Sequence, residues 1–239
     1  MGLPKKATMS ETHVKYPRTP RLPWSRDDSD DEMLSSVEHF IGKEVVVSEK
    51  LDGENSNFYR DHVHARSIDS KPHPSRTWVK NLWGRIRFDI PEHFRICGEN
   101  LFAAHSIFYD SLDSYFQVFN IWEGDFCLSW VETVEWCQLL GLTHVPVLWR
   151  GTWDENAIKA CWTGKSTQGG EPGKISFFGR SLDVGQEGYV VRLASGFSFG
   201  DFGKSMGKHV RKGHVTTSSH WLDEAIIQNG LRATSPGRS

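Results

Sequence analysis

The chain has 239 residues, enough for one large domain or a domain and a half. With 38% hydrophobic and 24% charged residues it has an ordinary globular composition, and a net charge of −2 excludes a global basic field for nucleic acid, so any such surface is local. Neither an N-terminal apolar stretch nor an apolar run of about 18 residues is present, which predicts no signal peptide and no membrane span.

In chain order, residues 1–35 are polar and proline-bearing and end in the acidic run RDDSDDE. They read as an extended arm. A short helix is expected near DEMLSSVEHFIG, the acids being its solvated first turn. KEVVVSEKLDG is a β-branched strand running into a turn, and NSNFYRDHVHARS alternates as further strands. WVKNLWGRIRFDI has helical spacing. FRICGENLFA and YFQVFNIW are strand-like, and WVETVEWCQLLGL is a helix ended by Gly141. ENAIKACWTG reads as a helix, KSTQGGEPGK as a flexible Gly-rich loop, and EGYVVRLAS as a strand. SFGDFGKSMGKHVRKGH passes from a loop into a basic stretch. Without regular strand–helix alternation, the order favours an α+β fold with antiparallel sheets flanked by helices. The implied domains are an arm over 1–35, a main domain over 36–212 and a short helical tail over 213–239.

Cys97, Cys127, Cys137 and Cys161 are scattered without a CxxC pair. This argues against a zinc ribbon and a disulfide framework, and a reducing cytoplasmic setting is expected. Two apparent phosphate loops fail on spacing. TGKS at 163–166 needs a glycine where Lys159 stands, and GKS at 203–205 needs one where Ser198 stands.

The stretch SEKLDGEN places Lys50 between Glu49 and Asp52, with Gly53 at the turn and Asn55 beyond it. Alone, Lys50 is a surface cation. Four further stretches follow in order: Arg66 in HARSID, Glu99 in ICGENL, Glu187 in EGYVVR, and Lys204 with Lys208 in GKSMGKHVRK. Phe119 sits between Glu99 and Glu187 in an apolar strand. Singly, these read as a paired cation, a turn cap, a core ring, a strand-end acid and a solvated basic face. Their joint occurrence in one order is far less expected by chance.

That series resembles the covalent nucleotidyltransferases, the superfamily of ATP-dependent ligases and mRNA capping enzymes. EKLDGEN resembles motif I, ARSID motif Ia, CGENL motif III, VFNIW motif IIIa, EGYVVR motif IV and GKSMGKHVRK motif V. The details are closest to RNA ligases of the RNA ligase 2-like group, in which Asn follows the nucleophile by five residues, as Asn55 does. The similarity spans residues 45–212, roughly two thirds of the chain. One departure stands out. Where many relatives have KxK in motif V, Met206 takes the second lysine's place, so Lys204 or Lys208 fills that role.

The resemblance implies a nucleotidyltransferase (adenylyltransferase) domain. The tail is too short for an OB barrel, which disfavours a DNA ligase or a capping enzyme; a non-catalytic end-binding module is the remaining alternative. It implies ATP and a magnesium or manganese ion as cofactors. The partners would be RNA ends, nicked or single-stranded, with a separate kinase or phosphatase to prepare them. Lys50 would attack the α-phosphate. Gly53 would let the backbone turn beside the nucleotide, Arg66 would fork onto phosphate or ribose oxygens, and Glu99 would accept from a ribose hydroxyl. Phe119 would stack adenine, and Lys204 or Lys208 would contact the α-phosphate. Asn55 would serve later steps, and Glu49 would help specify adenine. Acids beside a nucleophilic lysine raise its pKa, so Glu187 and Asp52 make sense as holders of metal, Asp52 through water.

Overall fold

Three consecutive valines drive the first strand, β1 (Glu44–Lys50), whose centre is buried on both faces. Val45 and Val47 enter one core cluster with Tyr189 and Val191, and Val46 enters another with Leu51 and Leu101. The computed structural model describes residues 13–25, 30–211 and 225–233.

Beside β1 lie β8 (Val147–Thr152), β11 (Gly188–Leu193) and, beyond β11, β13 (Met206–Val210), giving a four-stranded antiparallel sheet in the order β13–β11–β1–β8. The second sheet contains β2 (Glu54–Phe58), β3 (Val63–Ala65), β4 (Phe94–Asn100), β5 (Phe116–Glu123), β6 (Phe126–Cys127) and β12 (Phe197–Ser198). Its order is β12–β6–β5–β4–β2–β3, and the short β7 (Thr143–His144) adds to β5 in parallel. A hairpin of β9 (Gly173–Phe177) and β10 (Arg180–Val184) stands apart. Every other pairing among the described strands is antiparallel, and none of these sheets closes into a barrel. The fold is the α+β class that the irregular element order predicts.

Among the described residues, four α-helices flank the sheets: α1 (Thr77–Ile86), α2 (Trp130–Leu139), α3 (Glu155–Ala160) and α4 (Phe202–Ser205). α2 starts on a capping box between Ser129 and Glu132 and stops before Gly141, which takes the left-handed φ of +63°. No described helix is long and apolar enough to cross a membrane. The four cysteines are free thiols.

Three local expectations are revised. The DEMLSSVEHFIG segment forms only one 3-10 turn at Glu38–Phe40. Its start is captured by the N-terminal arm, for the Arg21 N–H donates to the Glu32 carbonyl and the Leu34 N–H to the Arg21 carbonyl. KSTQGGEPGK is a loop, but an anchored one: Ser166 and Gln168 are buried, and Gly173 and Lys174 already belong to β9. The tail is only partly described. Residues 225–233 carry no helix and join the fold through bridges from Gln228 to Ala103 and from Leu231 to Leu112; the rest of the expected helical tail lies outside the described residues.

The described part of the arm, residues 13–25 and 30–35, packs onto the domain as a strap. Leu22 is fully buried and Tyr16 nearly so. Arg21 bridges Lys208 at the edge of β13, where the Leu22 N–H donates to the Lys208 carbonyl and the Lys208 N–H to the Pro20 carbonyl.

Candidate active site

The two large sheets enclose a cleft of about 1080 Å³, within reach of a nucleotide-sized ligand. Strand parity decides what enters it. Lys50 pairs with Gly188 across β1 and β11, and Lys208 pairs with Val190 across β11 and β13. Ser48, Lys50, Val190, Arg192, Met206 and Lys208 all occupy even positions of this sheet and line the cleft. From the opposite sheet come Asn55 on β2, Glu99 on β4 and Phe119 on β5, with Asn55 directly across from Glu99.

Lys50 is the pivot. Its ammonium donates to Glu187 Oε1 at 2.6 Å, with the lysine side chain 27% exposed and the glutamate almost fully buried. Burial pulls the Lys50 pKa down, but Glu187, Glu99 and Asp52 together outweigh it and hold the amine well above its ordinary value. Glu99 shows the converse: burial, aided by Glu187 and Asp52 and opposed by Lys50, pushes its carboxyl up to about 8.

Two acids that flank Lys50 in sequence have structural work. Asp52 Oδ2 accepts from the Ser106 N–H at 2.8 Å, the Ser106 hydroxyl at 2.7 Å and the Ile107 N–H at 2.9 Å. That oxygen fixes the 105–107 segment. Glu49 is buried, and its Oε2 accepts from the Thr167 N–H at 3.0 Å and the Thr167 hydroxyl at 2.6 Å. Burial raises its pKa against those hydrogen bonds. Glu49 thus ties the Gly-rich loop to the strand that carries Lys50. Gly53 is required by space: a Cβ there would come within 2.5 Å of the Asn100 carbonyl oxygen.

The two candidate lysines of motif V are placed differently. Lys208 lines the cleft, its side chain 11% exposed and ion-paired to Asp31. Lys204 lies exposed on α4 and is not among the residues that line the cleft. The chain changes from helix to strand between Ser205 and Met206, so only the strand residue inherits the cleft-facing parity. Arg66 is partly buried in the cleft, with its Nε meeting no acceptor. Phe119 is partly buried, its ring met edge-on by Tyr16 at 5.2 Å.

Several cleft residues escaped the sequence reading. Arg192 closes the EGYVVR stretch and is buried; it donates to the Asn120 Oδ1 at 2.7 Å, the Leu128 carbonyl at 2.7 Å and the Phe119 carbonyl at 3.4 Å. Asn120 in turn donates to the Tyr16 hydroxyl at 2.7 Å. A buried arginine therefore braces the strand that presents Phe119. A lone arginine inside the apolar run YVVRLA was the available signal. Tyr16, Arg18 and Asp31 of the strap had none, because proline-bearing polar sequence carries no periodicity.

As to metal, no group of three His, Cys, Asp or Glu is placed to ligate an ion among the described residues. The oxygen donors Glu187 and Glu99 beside Lys50 nevertheless suit a hard divalent ion of the magnesium kind, which needs only one or two carboxylates when phosphates and water complete its shell.

The structure of the Naegleria gruberi RNA ligase with PPi is similar at 18% identity and a TM-score of 0.50, covering 87% of this chain and 61% of that one. A lysine-to-methionine mutant of the same ligase with AMP and Mn matches at 18% identity and a TM-score of 0.50, over 82% of this chain and 57% of that one. A putative ATP-dependent DNA ligase from Aquifex aeolicus matches at 18% identity and a TM-score of 0.47, over 82% and 49%. The chain thus spans between 49% and 61% of these proteins' lengths, and at such identity the two likenesses at a TM-score of 0.50 speak for the fold alone. No curated protein matches. The family model for RNA ligase matches residues 43–210, well over half of the chain, and the chain belongs to the RNA ligase family.

Proposed function

We propose that the chain is an ATP-dependent RNA ligase that joins 5′-phosphate and 3′-hydroxyl RNA ends through a lysyl-AMP intermediate on Lys50. The observation that carries the reading is the Lys50 ammonium, 2.6 Å from Glu187, at the centre of a cleft also lined by Glu99, Phe119, Arg66 and Lys208. Membership of the RNA ligase family supports the reaction class. Similar N. gruberi structures carrying PPi, or AMP and Mn, support adenylate chemistry with a divalent ion. In this reading the nucleotidyltransferase domain covers 36–212.

The reaction sets Lys50 a protonation problem. An unperturbed lysine is only about 0.04% neutral at pH 7, and here the surrounding carboxylates hold the amine still more firmly charged. In this reading the Lys50 proton passes to solvent water, because the Glu187 carboxylate that now pairs with it is kept as a holder of the ion. A divalent ion held by Glu187 and Glu99 would supply positive charge that favours the neutral amine. The Lys50 nitrogen then bonds the α-phosphorus while pyrophosphate leaves with the bonding pair. Lys208, on the neighbouring cleft wall, stabilises the charge that develops on the α-phosphate. A 5′-phosphate oxygen of RNA next displaces the lysine, which recovers a proton. A 3′-hydroxyl finally attacks the adenylated end, loses its proton and releases AMP. Phe119 gives adenine a flat face, held in place by Tyr16 and the Arg192–Asn120 brace.

The test is incubation with α-labelled ATP and magnesium, followed by end joining on matched RNA and DNA substrates. An acid-labile protein adduct that disappears in Lys50→Ala, with RNA joined in preference to DNA, is the expected result. Labelling by GTP instead would indicate capping chemistry, and absence of any adduct would leave an end-binding module.

A further inference from the structure

The RNA ligase match begins at residue 43, yet residues before it line the cleft. Asp31 is the central one. One of its oxygens is ion-paired to Lys208, and the other lies 3.2 Å from Arg18 Nη1. Each oxygen therefore has its own cation. Asp31 and Lys208 are both shielded, at 15% and 11% side-chain exposure, whereas Arg18 is 63% exposed and open to the cleft mouth. Arg66 adds a third positive charge that acts on the same carboxylate. Burial would raise the Asp31 pKa, but Lys208, Arg18 and Arg66 together hold it below the usual carboxylate range.

A shielded anion with one oxygen on a lysine, another on an arginine and a second arginine nearby is the charge pattern that a phosphate group seeks. The anion here is carried by a strap without regular secondary structure, attached through Arg21 and Leu22 to the edge of β13. We propose that Asp31 is a placeholder for a phosphate of the nucleoside triphosphate, keeping Lys208 and Arg18 in position until that phosphate displaces it. The inference deepens the ligase reading and rests on it for the identity of the ligand. Its physical content is competition: an internal carboxylate that must leave first lowers apparent phosphate affinity by the fraction of molecules still closed.

The experiment is calorimetric titration of inorganic pyrophosphate, and of ATP with EDTA present, into the wild-type chain and its variants. Asp31→Asn keeps the Asp31 carbonyl that accepts from Arg21 Nε at 3.0 Å, so the strap retains its anchor. It should bind pyrophosphate about tenfold tighter than wild type. Asp31→Glu, which keeps the charge, should stay within about twofold. The gain should vanish when Asp31→Asn is combined with Lys208→Ala, and shrink with Arg18→Ala. Asp31→Ser is the second neutral variant should the asparagine fail to fold. Unchanged or weaker pyrophosphate binding by a folded neutral variant overturns the proposal. Lysyl-AMP formation is read separately. If wild type never acquires adenylate while Asp31→Asn binds pyrophosphate tighter, the ligase reading falls and the placeholder stands. If wild type acquires adenylate and the neutral variants bind pyrophosphate no tighter, the placeholder falls alone.

Discussion

Lys50 and Lys208 both end on a carboxylate inside one cleft, but the two pairs are fixed in different ways. Glu187 immediately precedes Gly188, the residue that Lys50 faces across the β1–β11 ladder, so the first pair is held by a continuous sheet. Asp31 sits on a strap tied to β13 by isolated backbone bonds and the Val210 N–H to Ser25 hydroxyl bond. A pair whose backbones are fixed by a ladder stays side by side, so its charge has to be relieved from outside. A pair closed by a strap can exchange its anion. The Lys50 pair is therefore held by the sheet, and the Lys208 pair by the strap.

The largest expected effect comes from breaking both pairs together. Gly188 is paired with Lys50 on one side and with Val210 on the other, and a Cβ added there would run into the His209 carbonyl oxygen. Gly188→Ala should force β11 and β13 apart at the point where Glu187 and Lys208 are set. Overpacking of this kind costs about 1–3 kcal/mol, which corresponds to a Tm loss of about 3–10 °C in a chain of this size. Adenylate transfer should fall by at least about 100-fold. A variant with wild-type Tm and activity would mean that the ladder does not set either pair.

A smaller effect sharpens the first pair alone. Glu99 has its carboxyl raised by burial to about 8, against 4.5 when unburied. Between those values the unfolded chain has released a proton that the folded chain keeps, so stability falls as pH rises from about 4.5 to about 8 and then levels. The contribution is fully present below 4.5 and lost above 8. Glu99→Gln removes the titration. Its Tm relative to wild type should climb by a few degrees between pH 5 and pH 8.5, as thermal scans across that range would show. A constant difference would place the Glu99 carboxyl in the ordinary range. The substitution also removes one of the carboxylates that keep Lys50 charged, while Glu187 remains.

The contrast between the pairs also explains what could be read in advance. Lys50, Glu99 and Glu187 lie at strand ends whose alternation and turns are local features, and their convergence follows from antiparallel pairing. The strap is ordered from far away. Tyr16 is held by Asn120, 104 residues on, and packs edge-on against Phe119 and Phe202. Asp31 looked like a solvated helix start because nothing local distinguishes an acid awaiting water from one awaiting Lys208. The DEMLSSVEHFIG helix failed for the same reason: its first backbone groups bond the strap, a partner that no window of neighbouring residues contains.

The smallest effect tests which lysine belongs to the second pair. Lys204 and Lys208 are four residues apart, a spacing that would put them on one face of a helix. The helix ends at Ser205, so the spacing has no such meaning, and Lys204 remains exposed at the last turn of α4. Its resolved influence is on His39, whose pKa is lowered by burial first, then by Lys43 and Lys204. Lys204→Ala should therefore leave lysyl-AMP formation within about twofold and stability within about 0.5 kcal/mol, while moving the His39 imidazole titration upward by NMR. Lys208→Ala should leave that titration in place and cost adenylate transfer at least about 100-fold. The two readouts are independent, so a Lys204→Ala variant that lost adenylate transfer would return the phosphate role to the helix and leave Asp31 guarding the wrong cation.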